Sequence, residues 1–387
     1  MSEWKSRVRE EVDRREVELR EVSKDLFDHP EVKFEEVYAC KRLAGVLREA
    51  GFEVEVGVAG LDTAIRAVHP SSSEGPTVAI LGEYDALPEI GHACGHNLIA
   101  AGGLGAALAV AAIKPELPGT LLFLGTPAEE GGGGKVTMID AGLFEGVDAA
   151  MMFHPANFTV VGHGSLAITE VKLAFHGKPS HASAWPEEGI NALDAVIQTF
   201  NGLNALREHI KDGARIHGII TDGGLKPNIV PEHAAAEFYV RAPETDYRDE
   251  LLVKLKNCAE GAALATGARL EWNEVGHAYK AMKPNAPLIE AYVENLAGLG
   301  WTIDDAPEAM GSTDMGDVTQ AVPGMHPYLG ICEPGIPGHS REFAEASASE
   351  EGAQAMLTAA KALAMTTVDV LTADDLSKRM WEAFRAT

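Results

Sequence analysis

The chain is poor in cysteine, in positive charge and in long apolar runs, and each shortage excludes something. Its 387 residues hold four cysteines, Cys40, Cys94, Cys258 and Cys332. They are too scattered for a C-x-x-C pair or a disulfide framework, so a reducing compartment is expected. Lysine and arginine total 32 against 58 aspartates and glutamates, a formal net charge of −26. That field repels phosphate backbones and anionic lipid, which argues against nucleic acid or a membrane as partner. The longest apolar stretch, Leu98 to Ile113, is shorter than the roughly 20 residues that span a bilayer and reads as a buried helix. The segment MSEWKSRVREEVDRREVELR lacks the apolar centre of a signal peptide, so a cytoplasmic location is expected. What is present suits a folded chain: 46% apolar and 23% charged residues bury a sizeable core, and the length fits two domains.

The spacing of Val8, Val12, Leu19, Val22 and Leu26 predicts one helix from Ser2 to about Phe27, and a second runs from about Glu36 to Ala50 with Gly51 as its stop. Three short apolar runs follow, Val78 to Leu81, Thr120 to Gly125 and Ala149 to Phe153, separated as buried parallel strands are. The first leads into Glu83 and Asp85, the second into Glu129 and Glu130, the third into His154. Sites in open α/β sheets form outside the carboxyl ends of the strands, so these groups are expected to converge.

From Leu166 the rhythm changes. Strand Ile168 to Phe175, helix Asn191 to Ile210, strands Arg215 to Thr221 and Ala234 to Arg241, helix Tyr247 to Thr266 and strand Ala268 to Val275 give the order β-α-β-β-α-β, that of a ferredoxin-like unit. Helices return at Pro287 to Leu299 and Ser349 to Val370. The expected architecture is an α/β domain, residues 1–165 and 276–387, with a mixed, mostly parallel sheet flanked by helices. A ferredoxin-like α+β domain, residues 166–275, is inserted into it.

Chemistry concentrates in GEYDALPEIGHACGHN, Gly82 to Asn97, where His92, Cys94 and His96 alternate. Thiolate and imidazole suit zinc and other late divalent metals, and carboxylates widen the choice toward manganese. The triplet reads either as ligands or as a buried cysteine with two structural histidines. Glu129-Glu130, His154 and a late His339 favour ligands. Adjacent glutamates allow one to bind metal while the other accepts a proton as general base. GGGGK is not a phosphate-binding loop, since Glu129 stands where its first glycine belongs and Val136 where Ser or Thr is required.

With DALP, HACGHN, TPAEEGGGG, FHP, GKPSHAS, KPNIVPEHA, GSTDMGDV and GHSREF in place, nearly the whole chain resembles the aminoacylase and glutamate-carboxypeptidase group of co-catalytic metallopeptidases and N-acyl amino acid amidohydrolases. The Cys-x-His form is similar to the branch with indoleacetyl-amino-acid, hippurate and aminobenzoyl-glutamate hydrolases, and EYDALPEIGHACGHN and GSTDMGDV resemble its aminoacylase-like dipeptidases. The resemblance implies two divalent ions per subunit, zinc, manganese or cobalt, held by Cys94, His96, Glu130, His154 and His339, with Glu129 as general base. It implies Asp85 beside the ligands and His92 outside them. It makes the inserted domain a lid and dimerisation domain, whose His181 donates to the oxyanion in a partner subunit's site. Asn228 and Arg241 are implied as receptors for a substrate carboxylate, although Arg241 equally suits a surface ion pair. Thr313 and Asp314 are implied as lining for the substrate.

The expected activity is metal-dependent hydrolysis of the amide bond in small, anionic N-acyl amino acids or dipeptides, by a homodimer or larger homo-oligomer. The alternatives are hydrolysis of another C–N bond, in an amidine, carbamoyl group or aromatic amine, and a non-catalytic metal-binding scaffold.

Overall fold

The computed structural model describes residues 2–69, 73–305, 311–373 and 375–386. Among them the strands are β1 Glu53–Val56, β2 Ile65–His69, β3 Thr77–Glu83, β4 Thr120–Thr126, β5 Ala149–Met151, β6 His154–Ala156, β7 Ala167–His176, β8 Arg215–Asp222, β9 His233–Ala242, β10 Arg269–Tyr279, β11 Gly324–Met325 and β12 Tyr328–Gly330. The helices are α1 Glu3–Arg14, α2 Glu16–Asp28, α3 Val37–Glu49, α4 His96–Ala111, α5 Gly134–Asp140, α6 Ala192–Leu206, α7 Thr245–Thr266, α8 Ala286–Gly298, α9 Met315–Ala321, α10 Arg341–Ser347, α11 Glu350–Thr372 and α12 Leu376–Ala386.

The chain divides into two compact units: Met1–Gly164 with Met282–Met310 and Asp314–Thr387, and Ser165–Ala281 with Gly311–Thr313. The first is built on a sheet of order β1-β2-β4-β3-β5-β11. Its β4-β3, β3-β5 and β5-β11 pairs are parallel, and β1-β2 and β2-β4 are antiparallel. A short parallel pair, β12-β6, sets Tyr328 opposite His154.

Every residue of α4 is buried, as the apolar Leu98 to Ile113 stretch requires. Its glycines let it lie directly on the sheet: a Cβ on Gly103 would stand 2.6 Å from the Leu81 carbonyl oxygen, and one on Gly102 would stand 2.4 Å from a Phe153 ring carbon. This close approach brings the first residue of α4, His96, beside the end of β3. Helix α11 has the length and hydropathy of a membrane span, yet 83% of its most apolar window is buried within the protein, where it packs on α4.

The single N-terminal helix expected from the periodicity is two helices. Arg15 ends α1 with φ −94° and ψ 5°. One displaced residue barely shifts the apolar stripe, and Val8, Val12, Leu19, Val22 and Leu26 are all fully buried.

The second unit is an antiparallel sheet of order β10-β7-β9-β8. Residues alternate between buried and partly exposed along β7 and β9, so one face packs on α6 and α7 while the other stays accessible. The strand expected at Ala268 to Val275 runs on to Tyr279 through a register shift after Val275, and α6 ends at Leu206 rather than Ile210.

Candidate metal centre

Strands β3, β4, β5 and β11 run parallel side by side, so their carboxyl ends open on one edge of the first unit. Glu83 and Asp85 leave β3, Glu129 and Glu130 follow β4, His154 follows β5 and His326 follows β11. The last is a residue that sequence reasoning missed, because the strand before it has only two residues.

Asp85 organises this edge. It is 1% exposed. One carboxylate oxygen stands 3.0 Å from His96 Nδ1, and the other accepts the Glu130 backbone N–H at 2.9 Å. Its own carbonyl oxygen lies 2.8 Å from the same Nδ1. Nδ1 therefore carries a proton, and Nε2 is turned toward the other donors, where a metal would replace its proton. Burial disfavours charge on His96, but Asp85 and Glu83 outweigh it and hold the imidazole well above its ordinary pKa. Burial likewise raises Asp85, and His96 more than reverses that, so its carboxyl is lowered. Cys94 lies just before the N-terminus of α4, whose dipole favours thiolate, while burial pushes the thiol upward. His154 Nδ1 donates to the Pro155 carbonyl at 2.6 Å, and burial, then the His96 charge, lowers its pKa to about 4.

The Glu129-Glu130 turn is held from behind. Glu36 is fully buried. One of its oxygens accepts the Phe34 and Ala128 backbone N–H groups, each at 2.9 Å, and the other accepts the Thr63 hydroxyl at 2.7 Å. Ala128 has φ 59°, a strained conformation kept only where surroundings fix it. A Cβ on Gly134 would come 1.9 Å from the Pro127 carbonyl oxygen, so the glycine run is a steric requirement. Burial, then the carboxylates of Glu83, Glu130 and Asp314, hold Glu129 well above the usual carboxylate range.

All five residues expected as ligands fall into two groups that share one member. Donor atoms of Cys94, His96 and His154 lie within 4.8 Å of one another, as do those of Cys94, Glu130 and His339. His339 adopts φ 61° with its N–H on the Ala93 carbonyl at 3.0 Å, and its Nε2 is 3.6 Å from Glu130 Oε1. That is too long for a hydrogen bond. Two donors on one tetrahedral zinc stand roughly 3.3–3.6 Å apart, from ligand distances of about 2.0–2.2 Å. His96 Nε2 and Glu130 Oε1 are both buried without a hydrogen-bond partner. Orphaned buried donors cost about 1–3 kcal/mol each, and here they converge from different elements, so the residues fit a divalent metal pair. His92 stands apart: its Nε2 is 3.1 Å from the Leu26 carbonyl oxygen.

Next to this set lies a buried ion trio. Lys135 is fully buried. Its Nζ contacts Glu83 and lies 2.7 Å from Asp314 Oδ1, and its backbone N–H donates to Asp314 Oδ2 at 3.1 Å. Burial opposes the lysine's charge, but Asp314 and Glu83 raise its pKa. Burial pushes Asp314 up to about 7, against the pull of Lys135. His326, 3% exposed with both ring nitrogens unpartnered, packs edge-on against His154 and Tyr328 at 5.5 and 4.9 Å. Burial, then His154, keeps it neutral.

The remaining candidates belong to the second unit. His181 is exposed, and the Ser183 N–H donates weakly to its Nδ1 at 3.4 Å, which leaves Nε2 as the donor. An antiparallel bridge joins His181 to Ile229, and the Ala182 N–H donates to the Asn228 carbonyl at 3.1 Å, so GKPSHAS and KPNIVPEHA lie together. Arg241, on β9, is half-buried. Nη1 donates to Ser312 at 3.2 Å, while Nε is buried without a partner. Among the described residues no carboxylate pairs with it. Thr313 is 7% exposed.

Residues 79–362 match the model of peptidase family M20/M25/M40. The Xaa-Arg dipeptidase of Mus musculus is 40% identical, over 95% of this chain and 89% of that protein. The chain belongs to peptidase family M20/M25/M40. It is a metal-dependent hydrolase of amide bonds. A p-aminobenzoyl-glutamate hydrolase polypeptide of Escherichia coli K12 is 36% identical over 72% of the chain and 62% of that protein. In fold, the chain is similar to the Bacillus subtilis YXEP protein, described as a dinuclear metal binding peptidase, with TM-score 0.73 and 24% identity over 92% of this chain and 98% of that one.

Proposed function

We propose that this family member cleaves dipeptides, with N-acyl amino acids as secondary substrates, and that two divalent ions, zinc, manganese or cobalt, are held by Cys94, His96, Glu130, His154 and His339. The observation that carries the reading is the pair of donor groups joined through Cys94 with Glu129 beside them. Ions held there would supply a more acidic water and a polarised scissile carbonyl. Glu129 accepts a proton and returns it to the leaving amine, a task that its raised proton affinity suits. Asp85 fixes the tautomer of His96. In the second unit, Arg241 is a half-buried cation without a carboxylate partner among the described residues. It takes the substrate carboxylate with Asn228 and Thr313, its planar fork matching two oxygens. His181, contributed by the other copy in a homodimer, donates to the oxyanion.

The Xaa-Arg dipeptidase relative and the −26 net charge, which favours approach of cationic peptides, make dipeptides ending in arginine the preferred class. The test is metal analysis of the purified protein followed by a panel of Xaa-Arg and Xaa-Glu dipeptides, N-acyl amino acids and p-aminobenzoyl-glutamate, with the freed amine measured. Fastest release of arginine is expected. No amine from any member by the metal-loaded protein, or ammonia without an amino acid product, overturns the reading.

A further inference from the structure

The donor set has an unused oxygen next to it. Glu83 is fully buried at the carboxyl end of β3, and its two oxygens have different surroundings. Oε1 is held by Lys135 Nζ. Oε2 is buried with no hydrogen-bond partner and lies 3.5 Å from His96 Nε2, itself an orphaned buried atom. Because Asp85 occupies Nδ1, His96 Nε2 and Glu83 Oε2 are left facing one point, where a bound cation would take the place of the imidazolium proton. Their separation matches that of His339 Nε2 and Glu130 Oε1, 3.6 Å, and falls within the roughly 3.3–3.6 Å expected of two ligands on one tetrahedral ion.

We infer that Glu83 is a sixth metal-binding residue, placing one carboxylate oxygen on the ion that His96 holds, with Lys135 and Asp314 as positioning residues. Lys135 grips the other oxygen, so the carboxylate presents a single atom in a fixed direction. Asp314 in turn holds Lys135 through both its ammonium and its backbone N–H. One lysine faces two carboxylates in this trio, and the negative charge left over is directed at the cation. The Gly-Lys step of GGGGK thus acts as a buried brace for a ligand.

This inference rests on the metal reading above, and the experiment separates the two. Apo protein is titrated with zinc in competition with a chelator, and with cobalt while its visible spectrum is followed. The unsubstituted protein takes up two ions. Glu83→Gln is expected to keep one ion at its original affinity and weaken the other about 100-fold or more, beyond the 10–100-fold typical of residues that only orient a ligand. Its cobalt bands should shift. Glu83→Gln leaves Lys135 paired with Asp314 alone, so the triple variant Lys135→Met/Glu83→Gln/Asp314→Asn, which removes the whole ionic trio, is measured as well. It removes all three buried charges and is expected to fold yet still lose the same ion. If the unsubstituted protein binds two ions and the folded triple variant binds both with unchanged affinity and spectrum, Glu83 is only the lysine's counter-ion and the inference is wrong. If the unsubstituted protein binds none, the metal reading fails and this inference with it.

Discussion

The edge of the parallel sheet in the first unit and the accessible sheet of the second hold their polar groups by opposite means. In the first, Asp85, His96, Glu83, Lys135 and Asp314 have almost no exposure, and each is fixed by one or more of the others. In the second, His181 and Asn228 are exposed on loops, and Arg241 has one hydroxyl partner for its fork. Buried charges need mutual compensation because the medium around them supplies none, whereas groups that meet substrate must keep a bonding direction free. The first region should therefore respond to substitution in both stability and chemistry, and the second in chemistry alone.

The largest effect tests the chemical half. Glu129→Gln keeps the shape and removes the proton acceptor. Turnover of the best substrate should fall by about 10²–10⁴, the usual contribution of general base catalysis, with metal content unchanged. Turnover within threefold of the unsubstituted protein would place the base elsewhere.

Lys135→Met comes next and tests the structural half. It strands Glu83 and Asp314 as unpaired buried carboxylates, a loss of about 3–5 kcal/mol, read as a lower urea midpoint of the apo protein. Adding Glu83→Gln and Asp314→Asn should recover most of it, since replacing a whole buried ionic group with neutral side chains is often tolerated. An unrecovered triple variant would mean that the lysine's packing matters more than its charge.

The same contrast explains what could be read from residues alone. Glu83, Asp85, Glu129, Glu130 and His154 were visible because each ends an apolar run, and the parallel arrangement of those runs forces convergence. The β-α-β-β-α-β order was visible for a similar reason, since period-two and helical patterns alternate cleanly there. Strands β1 and β2 left little trace: β1 is EVEV, largely exposed, and its charged residues break no pattern that a loop would not. Strand β11 has two residues, too short for periodicity, so His326 behind it stayed unnoticed. Lys135 was hidden for a different reason. Lysine is almost never fully buried unless paired, and its partners Glu83 and Asp314 lie 52 and 179 positions away. The Asp314 carboxylate, expected among substrate contacts, turns instead to Lys135 for the same cause.

A third test moves to the second unit. His181→Ala should cost about 3–4 kcal/mol of transition-state stabilisation, as loss of one oxyanion donor does, while leaving the unfolding midpoint within about 0.5 kcal/mol, as exposed substitutions do. Mixing it with Glu129→Gln should restore part of the activity if protomers share sites. Full independence of the two variants would confine each site to one chain.

The smallest effect distinguishes binding from turnover. Arg241 keeps Nε buried and unpartnered, a geometry that suits two carboxylate oxygens at once. Lysine at this position preserves the charge but loses the fork. Because the substrate carboxylate is bound equally before and during reaction, Arg241→Lys should raise KM about tenfold, roughly 1.4 kcal/mol, with kcat nearly constant. A methyl ester of the same dipeptide should show no difference between the two proteins, since it lacks the paired oxygens that the fork would read. Equal KM values for the free acid would return Arg241 to a role in the β9 surface, where Ser312 and the Tyr239 ring, 6.0 Å from the guanidinium, are already its neighbours.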